Sequence, residues 1–145
     1  MQRRLVLDSN VWLDWLVFGD AAVMPIRTDV EQGRSEVIID GPCMAELGRV
    51  LACPLQRWTL DAAGMRRALA ECARHARWVA TAPAAALPRC PDADDQKFLE
   101  LAAGCGAHAL ITRDRALLRM ARHRLPFHIV TPAHYEALAR VESTA

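Results

Sequence analysis

Acidic side chains follow two apolar stretches of this sequence, at positions where they could act together on a metal ion. Asp8 follows the run Arg4-Leu5-Val6-Leu7, and Asp114 follows the run Ala109-Leu110-Ile111-Thr112. Continuous apolar runs of this length are typical of parallel strands buried on both faces. Ligand sites form beyond the carboxyl ends of such strands. A turn role would explain one aspartate, but two at equivalent positions favour a shared site at one edge of a sheet.

A third acid, Glu46, lies inside a predicted helix. It borders the apolar stripe of Met44, Leu47 and Leu51, where a glutamate can also reach solvent as an ordinary surface residue. Its place in the second strand–helix unit puts it within range of the edge that carries Asp8. The helical position leaves both interpretations open.

Three aspartates open a later helix, which we predict from Asp94 to Cys105. Asp92 is a natural N-cap, and acids in a first helical turn are favoured by the helix dipole by roughly 0.3–1 kcal/mol each. Asp94 and Asp95 lie four and three residues before Phe98 and extend the buried face of this helix. A carboxylate that continues an apolar face needs a partner, because burying it unpaired is expensive. All three aspartates are therefore candidates for a site.

Convergence of four carboxylates would require a cation. Each close pair repels by about 4 kcal/mol at roughly 4 Å and an effective dielectric of about 20. We expect no lysine to offset this repulsion, since Lys97, the only lysine of the chain, falls in the middle of a helical turn. Ligands that are all oxygen favour magnesium, calcium or manganese over zinc. Such a site can activate water and stabilise the leaving oxygen in phosphodiester cleavage.

Neighbouring polar and basic residues could support this chemistry. Ser9, Asn10 and Thr112 could orient a water molecule or a carboxylate, although turn and cap roles suit them equally. Arg113 and Arg115 follow the same apolar run as Asp114 and could contact phosphate.

Composition limits how nucleic acid could bind. A formal charge of +1, from 18 basic and 17 acidic residues, rules out a bulk positive field, so any such binding must be local. Tryptophans could stack on bases, although packing is favoured for the two in the first apolar helix. The four tryptophans are Trp12, Trp15, Trp58 and Trp78.

Cysteine usage and the N-terminus indicate a cytoplasmic protein. The five cysteines are an odd number and include no C-x-x-C pair, which argues against a zinc or redox motif and fits a reducing compartment. Acids interrupt the first apolar run too soon for a signal peptide, and no stretch is long enough to span a membrane.

The predicted elements alternate between strands and helices. With 145 residues and 52% hydrophobic residues, the chain suits a single domain over residues 1–145. The alternation predicts a three-layer α/β/α sandwich with a mostly parallel sheet. Ser9 or Asn10 would cap the first helix, and residues 81–91 would form a loop. The predicted strands are 4–7, 36–39, 78–80, 109–112 and 127–130, and the predicted helices are 11–18, 22–33, 42–51, 62–76, 94–105, 116–122 and 132–141.

Four segments of the chain resemble the acidic motifs of PIN domains. They are Leu5-Val6-Leu7-Asp8-Ser9-Asn10-Val11, Ala45-Glu46-Leu47-Gly48-Arg49-Val50-Leu51, Asp95-Gln96-Lys97-Phe98-Leu99 and Ile111-Thr112-Arg113-Asp114. They occur in the family's order over nearly the whole chain. The resemblance implies that Asp8, Glu46, Asp95 and Asp114 bind Mg²⁺ or Mn²⁺ and carry catalysis.

The segment Pro91-Asp92-Ala93-Asp94-Asp95 is similar to a subgroup of PIN domains described as toxins of toxin–antitoxin systems. The resemblance implies an endoribonuclease that cleaves single-stranded RNA and leaves a 5′-phosphate and a 3′-hydroxyl. It also implies inhibition by a small antitoxin protein and frequent homodimerisation.

Other acid-edged α/β proteins fit the sequence less well. A phosphate-transfer signalling domain needs a lysine near its phosphoacceptor, and Lys97 is poorly placed for that role. An aspartyl phosphatase has a second acid where this chain has Asn10, and a dinucleotide-binding domain needs a Gly-rich turn after the first strand. The main alternative is a PIN-like RNA- or protein-binding module without catalytic activity, which metal titration would distinguish.

Overall fold

Five short strands form one parallel sheet in the computed structural model, which describes residues 2–53, 60–81 and 86–144, with side chains to residue 140. Their lateral order is β3-β2-β1-β4-β5, and each neighbouring pair is parallel. The strands are β1 (Arg3–Leu7), β2 (Ser35–Ile39), β3 (Ala76–Trp78), β4 (Ala109–Ile111) and β5 (His128–Val130).

Helices cover both faces of the sheet. Leu5, Val6 and Leu7 point to alternate faces of β1, and each is at most 2% exposed. The predicted three-layer α/β/α fold is therefore confirmed. The helices are α1 (Ser9–Leu13), α2 (Met24–Glu31), α3 (Gly41–Ala52), α4 (Ala62–His75), α5 (Gln96–Gly104), α6 (Arg115–Arg119) and α7 (Pro132–Thr144).

Shorter helical turns extend several of these helices. A π-helical turn over Asp14–Phe18 continues α1, and 3₁₀ turns precede α2 at Ala21–Val23, precede α5 at Ala93–Asp95 and follow α6 at Met120–Arg122. Turns of this kind are common at helix ends. Because of these turns, the observed α-helices are shorter than the uninterrupted helices that the hydrophobic pattern predicts over the same segments.

Two local predictions are wrong. The cap of α1 is Asp8 rather than Ser9 or Asn10, because the Asp8 backbone is still extended (φ −72°, ψ 170°) and its side chain accepts the Val11 N–H. Strand β3 begins at Ala76, two residues before the predicted start, because α4 ends at His75 and Ala76 pairs with Val37 of β2.

Apolar packing accounts for the tryptophans near the N-terminus. Trp12 and Trp15 are buried, with ring centroids 5.2 Å apart, as the packing interpretation expects. Trp58 and part of the predicted 81–91 loop lie outside the described residues. Within the described ranges, no helix is long and apolar enough to cross a membrane.

Candidate metal centre at the carboxyl edge of the sheet

The central strands bring the first acid to the carboxyl edge of the sheet. Leu7 of β1 pairs with Ile111 of β4, and the Asp8 N–H continues the pairing by donating to the Ile111 carbonyl at 3.2 Å. Asp8 follows at the strand end and is only 4% exposed. Its Oδ1 accepts the Val11 N–H at 2.9 Å. The carboxylate is therefore fixed between the end of the strand and the start of α1.

Thr112 connects Asp8 with Asp114. Its fully buried hydroxyl donates to Asp8 Oδ2 and accepts the Asp114 N–H at 2.9 Å. Asp114 caps α6, since its Oδ1 accepts the Ala116 N–H at 2.8 Å. The Thr112 hydroxyl thus links the Asp8 carboxylate to the backbone of Asp114.

Glu46 extends from α3 toward the same edge. Ser9 Oγ donates to Glu46 Oε2 at 2.6 Å, and Lys97 Nζ lies 2.6 Å from Glu46 Oε1. The expectation that no lysine is placed to offset the acids is therefore wrong. Lys97 lies in the first turn of α5, which contacts α3, so its flexible stem reaches the carboxylate across the two helices.

Asp95 is the least compensated acid of the site. Its Oδ2 atom is buried and receives no hydrogen bond from any group that the structure describes. The pKa of Asp95 is raised to about 7, mainly by burial and then by the adjacent Asp114 carboxyl, with smaller contributions from Asp92 and Glu46. An ionised carboxylate only accepts hydrogen bonds, so Asp95 and Asp114 cannot stabilise each other when both are charged. A proton or a cation between them would remove this repulsion.

The pKa of Asp8 is also raised, to about 6. Burial is the main cause, and the nearby carboxylates of Asp114 and Glu46 add to it, whereas the hydrogen bonds from Thr112 and Val11 oppose it. Because the same acids act on Asp8 and on Asp95, the four carboxylates form one electrostatic group.

The other two aspartates of the acidic segment lie farther out. Asp92 Oδ1 accepts the Asp94 N–H at 3.0 Å in an exposed turn. Gln96, which the sequence pattern did not single out, holds the preceding segment in place. Its side chain accepts the Cys90 N–H at 2.7 Å and donates to the Pro88 carbonyl at 3.2 Å. Its buried amide ties the chain before α5 to the helix, and only the fold reveals this.

The remaining candidate residues differ in their surroundings. Arg113 pairs with Asp14 and lies 3.6 Å from Asp20 Oδ2, which ties it to the turn that follows α1. Arg115 and Asn10 are exposed at the first turns of α6 and α1. Arg113 would have to leave this ion pair before it could contact a phosphate.

The donor chemistry of this edge fits a hard divalent cation. The candidate ligands are carboxylate oxygens, and a cation would relieve both the bare Asp95 oxygen and the raised pKa values of Asp8 and Asp95. Within the described part of the chain, no three His, Cys, Asp or Glu side chains converge closely enough to hold an ion unaided. Mg²⁺ often binds through one or two carboxylates and retains several waters, so this spacing is compatible with such a site.

Together these features define a parallel α/β/α domain with an acidic group beyond its two central strands. A family model described as PIN domain matches residues 4–116, a range that contains all four acids. The chain belongs to the PIN-domain family, which confirms the family resemblance of its acidic segments. PIN domains are generally nucleases and typically use divalent metals. No curated protein matches the chain.

Proposed function

We propose that this chain is a divalent-metal-dependent endoribonuclease that cleaves single-stranded RNA, formed by one domain over residues 1–145. The observation that carries the proposal is the buried, unpaired Oδ2 of Asp95 beside the Asp114 carboxyl, for which no donor is found among the described residues. A structural carboxylate would be stabilised by a donor, whereas a metal ligand needs an oxygen that is left available.

Asp95 and Asp114 would hold Mg²⁺ or Mn²⁺, with Asp8 and Glu46 completing the site directly or through water. The bound ion would supply an activated water and stabilise the leaving oxygen in an in-line displacement. Thr112 keeps the Asp8 carboxylate oriented, and Ser9 orients Glu46. These hydroxyls limit the movement of the two carboxylates when the negatively charged RNA binds.

RNA contacts would lie around the same edge. Arg115 is exposed at the start of α6 and is better placed for a phosphate than Arg113, which is held by Asp14. Trp78 is 59% exposed and ends β3 opposite Ile39. At a spacing of about 4.8 Å per strand it lies about 10 Å across the sheet from β1, close enough to stack on a base near the scissile phosphate.

We also propose that the nuclease is the toxin of a toxin–antitoxin pair and acts in the cytoplasm as a homodimer inhibited by a small antitoxin. Its support is the resemblance of residues 91–95 to that subgroup. Phe18 and Met24 are 46% and 45% exposed, which offers apolar surface to a protein partner. Co-purification with the product of a neighbouring gene, and loss of RNA cleavage in that complex, would test this role.

The decisive experiment compares Asp8→Asn with Asp61→Asn on a labelled single-stranded RNA in EDTA, Mg²⁺ or Mn²⁺. Both aspartates cap helices, since Asp61 accepts the Gly64 N–H at 2.7 Å, so Asp61→Asn controls for the loss of a charged cap. We expect metal-dependent cleavage by the wild type and by Asp61→Asn, and none by Asp8→Asn. Equal cleavage by all three proteins would reject the proposed site.

A PIN-like binding module without cleavage is the second candidate. The observation that favours it is the ion pair between Lys97 and Glu46, which already neutralises one acid. A binding module of this kind need not take up a divalent ion. A wild-type protein that binds RNA but neither binds Mn²⁺ nor cleaves would support this alternative.

A further inference from the structure

Lys97 is built into the acidic site rather than exposed on the surface. Its side chain is 19% exposed and that of Glu46 is 17% exposed, with Nζ and Oε1 2.6 Å apart. The ammonium also lies 5.7 Å from the centre of the Phe98 ring, within the range of a cation–π contact. These contacts hold the charge at one place in the site.

Glu46 and Asp95 therefore differ in their need for a cation. Both Glu46 oxygens have partners, Ser9 Oγ on Oε2 and Lys97 Nζ on Oε1. The Asp95 Oδ2 atom has none within the described ranges, and its neighbour Asp114 is another acid. A divalent ion gains most beside Asp95 and Asp114, and at Glu46 it would have to displace an ammonium already in contact.

We propose that Lys97 is a positioning residue that takes the place of a second divalent ion, so that the site binds a single ion on the side of Asp95 and Asp114. This inference rests on the proposed metal-dependent function. Glu46 then acts through the water around that ion, with its orientation set by Lys97 and Ser9.

The charges at this edge give a physical reason for the arrangement. A lysine ammonium is a compact point charge with three donors, and it belongs to the fold whether or not a metal is bound. Removing it would leave Glu46 partly buried with an uncompensated charge, which is strongly unfavourable. A second divalent ion would then gain a ligand that Lys97 now occupies.

Mn²⁺ stoichiometry, measured by calorimetry and by electron paramagnetic resonance, tests this inference without depending on activity. We expect one Mn²⁺ in the wild type and in Lys97→Arg, two in Lys97→Met, and one again in Lys97→Met/Glu46→Gln. Lys97→Arg keeps the charge, and the double variant shows whether the added ion uses Glu46. One ion in Lys97→Met, or two in the wild type, would overturn the inference and leave the metal-dependent function standing. No Mn²⁺ in the wild type would instead refute the proposed function.

A second measurement uses the unaltered protein, in case Lys97→Met does not fold. Because Lys97 is the only lysine, protein labelled with ¹⁵N-lysine has a single side-chain NH₃⁺ group to observe by NMR. We expect its signal to be protected from solvent exchange and to persist at saturating Mg²⁺, but to be lost in Glu46→Gln. Loss of the signal when Mg²⁺ is added to the wild type would mean that the ion displaces Lys97, and the inference would be wrong.

Discussion

Carboxylates lie at both ends of the sheet, but their charges are balanced very differently. At the amino ends of β1 and β2, Asp29 accepts hydrogen bonds from Arg34 at 2.8 Å and from Tyr135 at 2.5 Å. Arg3 Nη1 lies 3.8 Å from the same carboxylate, and Ser35 contacts the Tyr135 hydroxyl at 2.8 Å. One acid is thus matched by two cations and a hydroxyl.

At the carboxyl ends of β1 and β4 the balance is reversed. Among the described residues, one ammonium, that of Lys97, serves four acids, and it contacts Glu46. Asp8 and Asp95 have raised pKa values because they are buried near other acids, and one Asp95 oxygen receives no donor from the described residues. An acid cluster that is fully paired holds the fold together, whereas one that is left short of positive charge is available to bind a cation.

The largest expected difference between the two ends is in cleavage. Asp95→Asn keeps the side-chain volume but removes the negative charge that we propose holds the metal ion. Even residues that only support metal ligands typically change affinity or activity by about 10–100-fold, so we expect Asp95→Asn to lower the rate of RNA cleavage by more than about 100-fold. Single-turnover kinetics at saturating Mg²⁺ measures this rate.

Asp29→Asn is the matched control for that experiment. It removes the negative charge that Arg34 contacts at 2.8 Å and that Arg3 Nη1 approaches to 3.8 Å, so we expect a lower melting temperature but a wild-type cleavage rate at a temperature where it remains folded. A large loss of cleavage in Asp29→Asn, or none in Asp95→Asn, would break the distinction between the two ends.

The pH dependence of stability should come from the acids at the carboxyl edge of the sheet. A raised pKa in the folded state means that the folded protein holds the proton more tightly than the unfolded chain. The stabilisation is therefore complete below the ordinary pKa of 3.8 and is lost as pH rises through about 6 for Asp8 and about 7 for Asp95. A pKa difference of one corresponds to about 1.4 kcal/mol.

Without metal, we expect the free energy of unfolding to fall by roughly 3 kcal/mol between pH 5 and pH 8, after allowance for solvent near Asp95. Urea titrations in EDTA measure this slope. The Asp8→Asn/Asp95→Asn double variant should have a flatter profile, and saturating Mg²⁺ should restore stability at pH 8. A profile that is equally steep in the double variant would assign the pH dependence to other groups.

Local sequence patterns predict the fold and the positions of the acids well. Apolar runs such as Leu5–Leu7 and Ala109–Ile111 are buried strands because both faces of a parallel sheet are covered. The direction of those strands then brings Asp8 and Asp114 to one edge. These features depend on residues close together in the chain, and composition and periodicity are sufficient to predict them.

Contacts between distant elements could not be predicted in this way. Lys97 reaches Glu46 only because α5 and α3 meet, and the choice among the three aspartates before α5 depends on which side chain turns toward Asp114. The choice among adjacent polar residues for the N-cap of α1 likewise depends on the backbone, because Asp8 is the residue whose backbone is still extended. Helix periodicity predicts the face of the helix on which a residue lies, but it does not predict which residue of another element that side chain contacts.

A smaller effect is expected at the hydroxyl of Thr112. Thr112→Val preserves the shape of a fully buried side chain but removes the hydroxyl that links Asp8 to the Asp114 backbone. We expect cleavage to fall by about 10–100-fold, as is typical of groups that orient metal ligands, and the Mg²⁺ concentration for half-maximal rate to rise. A variant that lost stability but kept the wild-type Mg²⁺ requirement would limit Thr112 to a structural role.

The smallest effect is expected from the matching hydroxyl at the other end of the sheet. Tyr135 is 1% exposed, and burial together with Asp29 raises the pKa of its phenol to about 12, so it remains a donor throughout the working pH range. Tyr135→Phe removes that donor but leaves both arginines on Asp29. We therefore expect urea titration to show a loss of only about 1–2 kcal/mol in the free energy of unfolding, with no change in cleavage rate or Mg²⁺ requirement. A changed Mg²⁺ requirement would mean that the two ends are coupled through β1, and the charge deficit at the carboxyl edge would then depend on the whole sheet rather than on the acids alone.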